Sequence, residues 1–450
     1  MFPSLAELPL VLFRVSCILA VFISGYLVHA GRSWPHSLIQ DGLAALRDIS
    51  VNAKAYAGIE PTAEIFPAPN SANGVTRLAA DKVSGGLIFM SGFFDKKTSL
   101  KLITNEGKEV HRWDVSYTAL FPNMDHVLPA MNRPLSDWNT NLHGAMPLPD
   151  GSAVVNFDAY GLARIDRCGT PMWTIPRMTH HSISMGDDGT LWVPSRVYHE
   201  TEVSRLPLHR APFYEDQILQ ISQEGKVLRE ISVPEAVIKN GLEGLLFANG
   251  FEMVGTENAD YMHLNDIDVL NKDVAAAFPN FAAGDLAVSL RNLNLIMVLD
   301  PVSLKIKWYQ VGPWTRQHDP DFLADGTISI FDNRKDDTLR GNILKGSTIA
   351  NINPATREIR IAYKQGKTAD DPGFYSYIMG KHQQLANGNM MISQPTYGRA
   401  FEVTKDGSVV WEYFNHFDKD RVAMITEATR YPESYFKVQD WSCKQQGSTQ

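Results

Sequence analysis

For most of its length the chain alternates short apolar runs with turn residues. AVVNF follows Asp150-Gly151, TLWV contains and follows the residues after Asp188-Gly189, and TISIF follows Asp325-Gly326; all are rich in β-branched or aromatic side chains. An Asp-Gly pair between apolar runs is a strong signal for a tight turn joining antiparallel strands. A second strand-like stretch precedes each turn and opens on a histidine: His143, His181 and His318. In all three the histidine stands seven residues before the aspartate of the turn (143 to 150, 181 to 188, 318 to 325). HQQLANGNMMIS begins at His382, with an offset of five to Asn387-Gly388, and HLNDIDVL begins at His263, where an insertion hides the turn. Further along, each unit repeats an alternating strand, a Gly- or Pro-containing turn and a strand that often carries Trp, as at Trp113, Trp173, Trp308 and Trp411. A recurring unit of four short strands predicts a repeat architecture, and six such units predict an all-β, six-bladed β-propeller. The tryptophans then belong to packing between blades.

The amino-terminal part departs from this pattern. Leu8 to Ala30 is apolar apart from Arg14, His29 and a few small or weakly polar residues. Its uninterrupted core, Val15 to Val28, has the length of a signal-peptide core, with Val28-His29-Ala30 as a cleavage site. With Leu8 to Phe13 added it reaches the length of a bilayer span. The expected organisation is therefore a signal-anchor or signal peptide over 1–35, an N-terminal apolar helix in either case. A short helix and linker follow over 36–79, and the propeller catalytic domain over 80–450. An uncleaved anchor would tether the rest to the inner membrane on the periplasmic side. The longer segments 114–142, 196–216, 234–262 and 334–345 exceed simple hairpins, and such loops on one face of a rigid scaffold commonly cover a binding site.

Composition narrows the partners. A formal net charge of −8 without a basic block argues against nucleic acid. Cys17 lies in the apolar segment, which leaves Cys168 and Cys443 as the pair available in an oxidising compartment, although spacing alone does not establish a bond. Three widely spaced cysteines exclude a cysteine-based zinc site.

The first strand of a propeller blade lines the central channel, so equal offsets place His143, His181 and His318 at one height near its mouth, with His263 beside them and His382 slightly apart. Single strand histidines are mostly structural, and His143 and His382 are the strongest cases for that reading. A ring of imidazoles in a polar channel also suits an anion or a metal. Arg291, in the SLRN run on the second strand of the His263 blade, favours the anion, because a guanidinium binds a tetrahedral oxyanion bidentately and disfavours a divalent ion nearby. Asn265, two residues beyond His263, faces the same side as its imidazole. No metal and no cofactor is expected.

At these residues the chain resembles the bacterial arylsulfate sulfotransferases, six-bladed periplasmic propellers. The resemblance spans about 80–440 and rests on HxNDID (His263 to Asp268), SxRN after Gly284-Asp285, QHDPDFLADGT (Gln317 to Thr327) and HQQLANGNMMIS. It implies sulfuryl transfer from an aryl sulfate ester to a phenol without a nucleotide sulfate donor. His318 would be the nucleophile forming a sulfohistidine, His263 and Arg291 would bind sulfuryl oxygens, and His181 would be the remaining catalytic histidine. Asn265, Asn292, His143 and His382 are expected to contact substrate. The family's amino-terminal β-sandwich does not fit in 36–75. Two rival readings remain: a quinoprotein-like propeller, suggested by the Gly-turn-Trp endings DGSVVW and LKIKW, and a non-catalytic propeller that only binds.

Overall fold

A computed structural model describes residues 8–30, 36–62, 64–247, 259–338, 340–364 and 373–443. It divides into two compact units, 1–62 and 63–450. The first contains helices Leu8–Ala30 and His36–Tyr56. Phe13, Ile18, Val21 and Phe22 on the former are exposed. Among the described residues no helix is long and apolar enough to cross a membrane, so the anchor expected of 8–30 gains no support there.

The second unit is a six-bladed β-propeller. Blades two to five are built in chain order from His143, His181, His263 and His318 onward, as the turn pattern predicts. In blade two, for example, Leu142–Pro147, Ala153–Phe157, Gly161–Ile165 and Pro171–Ile175 run from channel to rim. Blades one and six differ from expectation because the ring is closed by both chain ends. The innermost strand of blade one is Ile425–Tyr431, which pairs with Leu87–Phe94. Gly74–Leu78, expected as linker, instead adds a fifth strand to the rim of blade six by pairing with Val409–Phe414. Segment 196–216 is likewise less loop than expected, since Leu191–His199 and Phe213–Ile221 form one long hairpin.

Each of the six interfaces between neighbouring blades holds its own apolar cluster. Every fully buried Leu, Ile or Phe in them contributes about 1.5–3 kcal/mol relative to exposure. The tryptophans tie the blades together. Trp113, Trp173 and Trp411 each donate their indole N–H to a turn carbonyl of the next blade: Gly151 at 3.2 Å, Gln223 at 2.8 Å and Asn105 at 2.8 Å. Trp308 is buried in the cluster between blades four and five. A disulfide joins Cys168, in a turn of blade two, to Cys443.

One irregularity of the sheets positions the site. The inner strands of blades one, two, four and five each carry an extra residue against their second strands, between Ile425 and Glu427, Leu142 and Gly144, Leu264 and Asp266, and His318 and Asp321. Such bulges bend a strand and re-aim its side chains. Here they fall near one end of the channel.

Candidate active site

Four imidazoles, from blades two to five, meet near this end of the channel. The ring centroid of His181 lies 3.7 Å from His143, 5.1 Å from His263 and 6.1 Å from His318. His143 is the extra residue of its bulge and His318 begins its strand. Counted from its paired second strand, Asn265 rather than His263 occupies the level of His143, and His263 stands two residues nearer the channel mouth. His181 and His263 adopt the left-handed backbone conformation, with φ of 56° and 54°. That costs a β-carbon-bearing residue about 1–2 kcal/mol, so the surrounding structure holds these rings where relaxed strands would not.

The environment of His318 fixes its tautomer. The side-chain amide of Asn333 donates both hydrogens to backbone carbonyls, of Ser376 at 2.7 Å and Met379 at 2.6 Å. Its oxygen is thereby turned toward His318 Nδ1, 2.7 Å away. The carbonyl of Arg316 stands 3.1 Å from the same nitrogen. Both neighbours only accept, so Nδ1 carries the proton and Nε2 is left with its lone pair. The residue before it is also clamped. Gln317 donates to Ser289 Oγ and the Leu295 carbonyl at 3.0 and 3.1 Å, and its own carbonyl accepts from Asn265 at 2.7 Å.

The electrostatics keep His181 and His318 neutral. Burial, followed by the charge of Arg291, holds His318 well below the ordinary imidazole range. Burial and then His143 do the same to His181. Arg291 itself is lowered to about 10, by burial and by Arg316, so it remains a cation at neutral pH. Its backbone N–H donates to the His263 carbonyl at 3.0 Å, and its charge depresses both His263 and His318. A buried cation beside neutral, lone-pair-bearing imidazoles can receive an anion and attack it.

Asp260, Asp158, Arg316 and Asn333, which the sequence did not single out, complete this arrangement. His263 Nδ1 bonds the Asp260 carboxylate at 2.5 Å. His143 Nδ1 lies 3.3 Å from Asp158. His180 faces His181 with both Nδ1 atoms 2.9 Å apart, so one ring donates to the other. Arg316 donates to Asn292 Oδ1. Arg316 adjoins the QHDPD motif and Asn333 lies two residues past the strand residue paired with His318, so both were near visible signals.

Three of the residues expected to contact substrate make protein contacts of their own. His382 is outside the imidazole cluster; its Nδ1 and backbone N–H both meet Asp319, and its Nε2 meets Ser329 Oγ. Its shorter offset to the turn starts it on a different level. Asn265 spends its amide on the Gln317 carbonyl, and Asn292 braces the Asp260 carbonyl at 2.7 Å. Two groups bring one donor atom per residue within 4.8 Å of one another: His143, Asp158 and His181, and Asp319, Asp321 and His382. The second set already has a cation, since Lys381 Nζ lies 2.9 Å from Asp319 and 3.0 Å from Asp266. In the first set, the nearby charge of Arg196 acts on Asp158.

The protein is thus a propeller that carries a buried cationic, imidazole-lined site at one end of its channel. The model of a family described as arylsulfotransferase (ASST) matches residues 144–416, and the chain belongs to that family. Membership suggests a sulfotransferase acting on aryl sulfates. A search of curated proteins finds no match. Among solved structures, the chain is similar to a Bacteroides caccae protein of unknown function (14% identity, TM-score 0.43, covering 76% of this chain and 98% of that one). It is also similar to a streptogramin B lyase (14%, 0.40, 79% and 88%) and to virginiamycin B lyase from Staphylococcus aureus (13%, 0.34, 62% and 71%).

Proposed function

We propose that this protein moves a sulfuryl group from an aryl sulfate ester to a phenolic acceptor through a sulfohistidine on His318. The observation that carries this reading is the bare Nε2 of a neutral, buried His318 under the charge of Arg291. In the first half-reaction Nε2 attacks sulfur, the S–N bond forms, and the S–O bond to the aryl group breaks with its electron pair leaving on oxygen. In the second, the acceptor oxygen attacks sulfur, the S–N bond breaks and the acceptor's proton passes to a base. Dividing one displacement into two is the usual benefit of a covalent intermediate. Arg291 and the imidazole of His181 stabilise the sulfuryl oxygens, where preorganised donors count most. His143, its ring tilted against that of His181, completes the wall of the site.

We place this chemistry in an exported, oxidising compartment, the periplasm; the Cys168–Cys443 disulfide supports that placement. The test is a chromogenic assay with 4-nitrophenyl sulfate as donor and phenol as acceptor, on wild type and His318→Asn. Acceptor-dependent release of 4-nitrophenol by wild type alone is expected. Equal rates for the two proteins would remove His318 from the mechanism, and no release by either would remove the reaction.

A further inference from the structure

We propose that Asp260 is a positioning residue that makes His263, among the clustered imidazoles, the one that carries the phenolic proton between the two half-reactions. This rests on the sulfuryl-transfer reading.

The assignment comes from the partners each ring has. His318 faces a neutral amide oxygen, Asn333 Oδ1, which orients the ring but offers no charge to an imidazolium. His181 faces another imidazole, His180. His143 lies near Asp158, yet neither of its ring nitrogens makes a hydrogen bond. His263 alone joins a carboxylate through an aligned bond, Nδ1 to Asp260 at 2.5 Å. That bond puts the proton on Nδ1 and directs Nε2 away from Asp260, on a ring 5.1 Å from His181.

Asp260 is itself held firmly. Its strand Ala259–Asp260 runs parallel to Phe213–Ile221 with Asp260 opposite Tyr214, and its carbonyl accepts from Asn292 at 2.7 Å. Neighbouring Asp216 is pushed well above the usual carboxylate range by burial and by Asp260, and the negative charge of the pair resides on Asp260. Burial pulls His263 down while Asp260 opposes that pull. The carboxylate therefore makes a buried imidazolium reachable where burial and Arg291 would otherwise forbid it.

The proton balance closes over a cycle. When the acceptor oxygen attacks sulfur on His318, its proton goes to His263 Nε2, giving an imidazolium paired with Asp260. The next donor's aryl oxygen, as the S–O bond breaks, takes that proton back and departs as a phenol. Protonation of His263 and sulfurylation of His318 thus alternate.

The experiment compares phenyl sulfate, whose poor leaving group needs the proton, with 4-nitrophenyl sulfate, whose good leaving group does not, on wild type, Asp260→Asn and Asp260→Glu. Asp260→Asn is expected to lose about 100-fold or more in kcat/KM with phenyl sulfate and less than about tenfold with 4-nitrophenyl sulfate, with Asp260→Glu recovering part of the loss. Equal losses with both donors would overturn the assignment while leaving sulfuryl transfer intact. A wild type inactive on both donors would overturn the underlying reading as well. Independently of turnover and of how the variants fold, histidine nitrogen NMR of the wild type should show His263 protonated at Nδ1; protonation at Nε2 alone overturns the proposal.

Discussion

His318 and Asn333, fifteen residues apart in the chain and on the two sides of one bulged hairpin, are joined Nδ1 to Oδ1 at 2.7 Å, and this bond decides which nitrogen of His318 is nucleophilic. Asn333→Ala frees the ring to adopt the other tautomer or to turn. We expect kcat/KM for aryl sulfates to fall at least about tenfold with the fold intact, since a misassigned tautomer costs up to ~10⁴ in a serine protease triad. Steady-state kinetics beside circular dichroism checks it; undiminished kcat/KM would show that Asn333 does not set the ring.

Arg291→Gln removes the buried cation that acts on both His263 and His318. Loss of one preorganised donor to a developing oxyanion costs about 10²–10³ in rate, and a drop of that size in kcat/KM is expected. A change below threefold would mean that the guanidinium does not meet the sulfuryl group.

His382→Gln tests the relocation of that side chain. With its ring between Asp319 and Ser329, and its side chain buried, it is expected to lower the unfolding midpoint rather than to change acceptor affinity. Removing one partner of a buried polar network leaves the others unsatisfied, at about 1–3 kcal/mol. Thermal unfolding and KM for the acceptor separate the two outcomes; a raised KM with an unchanged midpoint would return His382 to the substrate site.

Glu64 supplies a test by pH. It is 1% exposed and neither carboxylate oxygen has a hydrogen-bond partner. Burial pushes its pKa from 4.5 to about 8. Between those values the folded chain holds a proton that the unfolded chain has lost, so stability falls as pH rises through that window and the proton's contribution is fully present only below it. Wild type should therefore lose more of its unfolding midpoint between about pH 5 and pH 8.5 than Glu64→Gln does. Parallel pH profiles for the two proteins would refute the assignment.

The legible part of this structure follows from local chemistry that repeats. Asp-Gly turns and equal offsets from them placed His143, His181 and His318 in separate blades and brought them to one another, and the indole N–H groups of Trp113, Trp173 and Trp411 lie between blades as the recurring phrase implied. What stayed hidden depends on register between distant segments. Asn265 reads as a neighbour of the His263 imidazole, yet the bulge beside it turns the amide to Gln317. Asp260 sits on a two-residue strand paired in parallel with Phe213–Ile221, a contact with no local pattern to announce it. The strand that completes blade one arrives from beyond residue 420, so periodicity counted forward from residue 80 could not find it.

That late strand sets a limit on how the protein is made. Until Ile425–Tyr431 has been synthesised, blade one lacks its channel-side member and Leu87–Phe94 presents an unpaired edge, the kind of surface on which chains join one another. An emerging polypeptide consequently cannot close this ring piece by piece, and Leu87–Phe94 needs shielding until Ile425–Tyr431 is available. A stop codon placed just ahead of Ile425 is costly for the same reason: it leaves an open arc in place of a ring.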